Sequence, residues 1–203
     1  MDRHSHWQTV YEDKGETEVS WFQEHPASSL ALIRDSGLGP DARIIDIGGG
    51  ASRLVDHLVG QGFRSIAVLD IAPAALERAR HRLGELAAQV EWLVADVTGW
   101  TPPTHFDLWH DRAVFHFLTD PADRAAYAAA MAAAVPKGGQ AIIGTFALDG
   151  PERCSGLPIH RYDADGLSAE FARHFEPIAA MTEDHLTPTG KIQRFQFCRL
   201  RRR

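Results

Sequence analysis

Strand-like and helix-like segments alternate along most of this chain, and that alternation restricts the fold more than any single motif does. "RIIDI", Arg43 to Ile47, is a short apolar run ending at three consecutive glycines, and "SRLVDHLVGQG" follows with helical spacing. "SIAVLD" ends at Asp70, after which Pro73 opens a helix in which Leu76, Ala79, Leu83 and Leu86 share one face. "VEWLVAD" ends at Asp96, and "HFDLWHD" reads as a fourth strand. Asp120 then caps a helix with Pro121 at its first position and Asp123 in its first turn. In that helix Tyr127, Met131 and Val135 recur every four residues, so the alanine-rich stretch is helix-forming and not low-complexity. "GQAIIGTFAL" is a fifth strand. Strands separated by helices need crossover connections, which predicts a parallel sheet in a doubly wound α/β fold, with helices on both faces.

The two ends depart from the alternation. "DADGLSAEFARHF" reads as a helix, and "IAAMTEDHL" and "KIQRFQFCRL" as strands with only "TPTG" between them. Strands joined that closely are antiparallel. The layout predicted is a mostly parallel, seven-stranded sheet with an antiparallel C-terminal hairpin. Before the first strand, "EVSWFQEHPASSLALIRDSG" reads as mostly helical. Residues 1–40 are thus an N-terminal helical extension, and 41–203 form the main domain. Trp7, Tyr11, Trp21 and Phe22 in the extension are read either as packing or as a lid over the ligand crevice.

Charge and cysteine content exclude some functions. The 203 residues carry 21 basic and 27 acidic side chains, a formal net charge of -6. That disfavours a nucleic-acid partner, which wants a basic face, and the terminal "CRLRRR" reads as a solvated end. Cys154 and Cys198 form no Cys-x-x-Cys pattern, so neither a disulfide framework nor a zinc site is expected, and a cytoplasmic location fits. The histidines show no metal spacing, and no metal is expected. No apolar run reaches membrane-spanning length, and the start "MDRHSHWQTV" has no signal-like core, so no membrane partner is expected.

In doubly wound sheets, ligands bind beyond the carboxyl ends of the strands, where strand order reverses. Gly48, Gly49 and Gly50 fall at such an end. Without side chains, their N–H groups can approach a ligand closely, and a helix N-terminus follows. A dinucleotide fingerprint would need a third glycine where Arg53 stands, and no Gly-Lys-Ser/Thr follows to make a phosphate loop. What stands here is acid-x-Gly-x-Gly: Asp46, Ile47, Gly48, Gly49, Gly50.

With that turn, the chain resembles the class I S-adenosylmethionine-dependent methyltransferases from about Arg43 to Leu200. Further motifs follow in the family's order: "VLDIAP", "VADVT", "FDLWHDRAVFHFL", and "VPKGGQAIIGTF", in which proline and lysine are swapped. The resemblance implies S-adenosylmethionine as cofactor. It places Gly48, Gly49, Gly50 and Ser52 at the cofactor turn, with Asp46 propping the loop. It puts Asp70 on the ribose hydroxyls and Asp96 on the adenine amino group, with Ile71 and Val97 sandwiching the ring. Asp111 would meet the methionine amino group or the acceptor, or else pair with Arg112. Asp111 and His116 are the catalytic candidates, and Cys154 is a possible acceptor contact.

Methyl transfer from a sulfonium is an in-line displacement that needs alignment and water exclusion more than a catalytic constellation. The acceptor is therefore hard to read from motifs. The Asn/Asp-Pro-Pro-aromatic stretch of amino methylases is replaced by "HDRAVF", and a Pro-Cys nucleophile is absent. "HWQTVYEDKGETEVSWF" is similar to protein lysine methyltransferases, and "WHDRA" to thiopurine and thiol methyltransferases. A small-molecule acceptor is expected. The alternatives are a protein lysine, or a cofactor-binding protein without turnover.

Overall fold

The computed structural model describes residues 2–203. In chain order its elements are α1 (Arg3–Asp13), α2 (Ala27–Asp35), β1 (Arg43–Ile47), α3 (Leu54–Gly60), β2 (Ser65–Asp70), α4 (Pro73–Leu83), β3 (Val90–Val94), β4 (Leu108–Arg112), α5 (Pro121–Ala134), β5 (Gln140–Phe146), β6 (Arg153–Cys154), β7 (Leu157–Pro158), α6 (Ala164–Phe171), β8 (Phe175–Leu186) and β9 (Ile192–Arg202). Seven strands form one sheet in the order β3-β2-β1-β4-β5-β9-β8, and β6 and β7 make a separate small hairpin. The first five strands are parallel, while β9 runs antiparallel to both β5 and β8. The expected mostly parallel sheet with an antiparallel end is what the chain forms. Its strand order reverses between β1 and β4, where two successive crossovers leave in opposite directions and open a crevice.

Apolar residues on alternate positions of the strands bury against two helical layers. On one face Ile45, Ile47, Leu69, Trp109 and Ile143 pack with Tyr127, Met131, Leu167 and Phe171 of α5 and α6. On the other, Ile44, Val68, Leu108 and Ile142 pack with Leu30, Ile33, Leu54, Leu58 and Leu76 of α2, α3 and α4. Helix α2 thus belongs to the sandwich itself. Asp120 caps α5 as its sequence requires, accepting from the Ala122 amide at 2.8 Å.

Two local expectations need correction. Helix α4 stops at Leu83 because Gly84 adopts φ +57°, and Leu86, beyond that break, is exposed and does not share the buried face of Leu76 and Ala79. The N-terminal extension is also less helical than its residues suggest. Between a 3-10 turn at Glu16–Glu18 and α2, the chain is irregular, and Pro26 stands at its end. Its carbonyls are taken by distant side chains. Arg112 Nη1 donates to Trp21 O at 3.1 Å, and His185 Nε2 lies 2.8 Å from Ser20 O.

Candidate functional site

Strand β1 delivers the chain into the glycine turn with Asp46 and Ile47 on opposite faces. Gly48 and Gly50 have φ of +64° and +42°, and the Gly48 amide donates to Leu69 O at 2.6 Å, tying the turn to β2. Gly49 is required by space: a Cβ there would lie 2.5 Å from Asp46 Oδ2 and 2.7 Å from Val68 Cγ1. Asp46 is buried below the turn. His110 Nδ1 lies 2.7 Å from its Oδ1, and His110 Nε2 lies 2.9 Å from Ser29 Oγ, so one imidazole links β1, β4 and α2. Ser52 Oγ accepts from the Leu54 amide at 3.1 Å in the turn that leads into α3.

Above the turn are two clefts that meet. The larger, ≈ 780 Å³, holds Asp70, Ile71, Asp96 and Val97 along its floor. The smaller, ≈ 630 Å³, holds Asp46, Gly49 and Ser52. Tyr11, Trp21, Ile47, Gly48 and Arg112 line both, so the two form a trough across the switch point.

Asp70 accepts from the Ala72 amide at 2.8 Å, closing the turn that leads into α4, and so it shapes that turn and lines the cleft at once. Burial outweighs that bond and pushes its pKa up to about 7. Gly50 lines neither cleft but makes room for this carboxylate: a Cβ there would sit 2.7 Å from Asp70 Oδ2. A carboxylate with so little solvation is short of donors, which a ribose diol supplies. Asp96 lies two residues beyond the end of β3. Its Oδ1 accepts from Thr98 N and Oγ1 at 2.9 and 2.7 Å, and Arg3 Nη1 reaches its Oδ2 at 3.4 Å.

The expected catalytic candidates line neither cleft. Asp111 is fully buried on the α5 side of the sheet. Its carboxylate accepts from Tyr127 Oη at 2.5 Å and from the amides of Val114 and Phe115 at 2.8 and 3.0 Å, while Trp109 Nε1 donates to Tyr127 Oη at 2.8 Å. The group thus organises the turn after β4. Burial pushes its pKa up to about 6. It is not paired with Arg112, because successive strand residues face opposite sides. His116 is also fully buried, with Nδ1 accepting from the Phe146 amide at 3.3 Å. Burial and the charge of Arg112 drive its pKa down to about 3, so it stays neutral. Ala113, at the end of β4, is held at φ +75°, a strained conformation for a residue with a Cβ.

Helix α1 roofs the trough. Trp7 and Tyr11 join Trp21 over the larger cleft, with the Trp7 ring 5.0 Å from Phe117 and 5.8 Å from Trp21. Arg3 also binds Asp123, so the start of α1 is tied to α5 as well as to Asp96. Cys154, on β6, is buried at the edge of the larger cleft, and burial raises its thiol to about 12. Arg3 carries no sequence signal of a site role, because its partners are distant in the chain, and Arg112 stands out in the sequence only as a possible partner of Asp111 and within "WHDRA".

Residues 44–139 match the family profile described as a methyltransferase domain. That stretch, just under half of the chain, is similar to methyltransferase domains, and the whole chain has the fold of solved S-adenosylmethionine-dependent methyltransferases. Its sequence is 33% identical to the methyltransferase srdJ of Neurospora crassa over 106 residues, which are 48% of this chain and 43% of that protein. It is 27% identical to Nodulation protein S of Sinorhizobium fredii over 115 residues, 57% of this chain and 52% of that one. The matched part is thus about half the length of these curated relatives. Among solved structures, the N-methyltransferase NodS of Bradyrhizobium japonicum, in complex with S-adenosyl-L-homocysteine, has the same fold. It superposes with a TM-score of 0.74 at 16% identity, over 99% of each chain. The region matched, 44–139, includes the glycine turn, Asp70, Asp96 and the turn after β4.

Proposed function

We propose that this chain is an S-adenosylmethionine-dependent methyltransferase acting on a small-molecule acceptor. One observation carries the reading. Asp70 and Asp96 flank the apolar pair Ile71 and Val97 on the floor of a trough that begins at the glycine turn. Asp70 holds the ribose hydroxyls, and Asp96 the adenine amino group. Ile71 and Val97 bracket the ring, and Gly48 and Gly49 let the backbone approach the methionine portion. Asp46 and Asp111 act from beneath, one steadying the glycine turn and the other the turn after β4.

When bound, S-adenosylmethionine supplies a methyl group already activated by its sulfonium. The chain's own contribution is alignment and exclusion of water. Among the described residues the one histidine lining the trough is His110, in the smaller cleft with both ring nitrogens engaged by Asp46 and Ser29, and burial holds Tyr11 and Cys154 protonated. The site therefore suits an acceptor that arrives with its lone pair available, such as a carboxylate, a free amine or a thiolate. The aromatic roof of Trp7, Tyr11 and Trp21 over the trough favours a small molecule over a protein side chain. The net charge of -6 disfavours nucleic acid. No helix among the described residues is long and apolar enough to cross a membrane.

The test is label transfer from methyl-labelled donor to a panel of acids, amines and thiols, and to the small-molecule and protein fractions of a cell extract, with S-adenosylhomocysteine quantified. Label in small molecules is the expected result. Label confined to protein would overturn the acceptor class. Donor binding without any S-adenosylhomocysteine above background would make the chain a binding protein.

A further inference from the structure

Arg112 offers more hydrogen-bond donors than the protein uses. It ends β4 on the face opposite Asp111, with its guanidinium 4.2 Å from the centre of the Phe195 ring. Nη1 donates to Trp21 O at 3.1 Å. Nε lies 3.7 Å from Glu183 Oε2, and Nε and Nη2 are both buried without a hydrogen-bond partner among the described residues. A guanidinium has five N–H donors, and leaving buried ones unpaired is costly. Phe195 holds the plane of the fork, and Gln23 Nε2 holds Glu183 at 2.6 Å on the Nε side. The Nη2 edge is left over.

The position of this edge matters. Arg112 is one of the residues shared by both clefts, close to the aromatic roof. Its neighbours Trp21 and Glu183, and Cys154, whose thiol feels its charge, all lie outside the methyltransferase-domain match at 44–139. The surroundings of the fork are therefore built by parts of the chain that are not the shared donor-binding frame.

We propose that Arg112 anchors a carboxylate carried by the methyl acceptor, and that the acceptor is a small organic acid whose apolar body lies against Trp7, Trp21 and Phe117. This rests on the methyltransferase reading above. The Nη2 group, whose N–H donors have no partner among the described residues, matches a carboxylate oxygen in charge and donor chemistry, and a neutral amide pairs with it only weakly. Glu183 balances the guanidinium from the other side and so weakens its hold on an anion.

The test is calorimetry with phenylacetate and its uncharged analogue phenylacetamide, on protein saturated with S-adenosylhomocysteine. Phenylacetate is expected to bind wild type at least about tenfold more tightly than the amide. Arg112→Gln should abolish that preference, and Glu183→Gln should tighten the acid several-fold. Equal binding of acid and amide to wild type, or binding of neither, would overturn the proposal. So would an undiminished preference in Arg112→Gln. If instead Arg112→Gln weakens S-adenosylhomocysteine about tenfold or more and wild type shows no acid preference, the fork holds the donor's own carboxylate. That outcome rejects the acceptor assignment and leaves the methyltransferase reading standing. Should Arg112→Gln not fold, the wild-type preference and the Glu183→Gln shift decide. Failure of S-adenosylhomocysteine to bind wild type would remove the donor reading, and this inference with it.

Discussion

Asp70 is placed where its charge is poorly solvated until a ligand arrives, and this makes its proposed role visible as a pH dependence. Its folded-state pKa is about 7, raised chiefly by burial from the ordinary 3.8. The folded, unliganded protein therefore binds this proton more tightly than the unfolded chain does. The contribution of Asp70 to stability is most favourable below the ordinary value and is lost as pH rises toward 7. Ribose hydroxyls donate to the ionised form, so donor binding should expel the proton. The affinity for S-adenosylhomocysteine is expected to fall by up to about tenfold per pH unit below 7 and to level off above it. Asp70→Asn should bind more weakly, with a flat profile. Titrations from about pH 5.5 to about pH 8.5, repeated in buffers of different ionisation enthalpy, check this. A flat wild-type profile would reduce Asp70 to a former of the turn before α4. Residue chemistry was legible in part. Asp70, Asp96, Ile71 and Val97 follow strand ends marked in the sequence, and they share one cleft. The direction of Asp111 was not legible, because it depends on which face the strand presents. Its partner Tyr127 is supplied by α5.

At the scale of elements, α1 is the piece whose behaviour matters most. Tyr11 is its only buried residue. It is otherwise held by Trp7 against Trp21 and Phe117, by Arg3 on Asp96 and Asp123, by the Ala74 amide donating to Gln8 Oε1 at 3.2 Å, and by Arg78 on the Lys14 carbonyl. Partly exposed ion pairs and hydrogen bonds of this kind contribute about 0–1.5 kcal/mol each, so a local opening costs far less than unfolding the sheet. A lid and a packing helix separate kinetically. Trp7→Ala is expected to speed S-adenosylhomocysteine dissociation by about tenfold in stopped-flow fluorescence, while Tm moves by no more than about 4 °C. A large fall in Tm with unchanged dissociation would make α1 part of the fixed core. The seat of α1 is set by contacts far away in the chain, such as Arg3 with Asp96, and no local pattern announces them. By contrast α5, with Asp120 as cap and Pro121 first, could be read directly because its determinants are adjacent in sequence.

For the molecule as a whole, alternation of period and short connections were enough to anticipate the sheet, since parallel neighbours require crossovers and the last two strands are too close to be parallel. The trough was less legible. Its floor comes from the ends of β1 to β4, while its roof and far wall come from α1, the irregular segment before α2, and β6. The glycine turn sits where strand order reverses, and the remaining contacts follow from how separate segments are brought over that point. The central claim is that this trough is built for a sulfur nucleoside and not for a dinucleotide. The most direct measurement is calorimetric titration of the intact chain with S-adenosylhomocysteine and, separately, with NAD. S-adenosylhomocysteine is expected to bind with one site per chain and a dissociation constant on the order of micromolar, about -8 kcal/mol, and NAD far more weakly. NAD binding as tight as or tighter than S-adenosylhomocysteine would contradict the account.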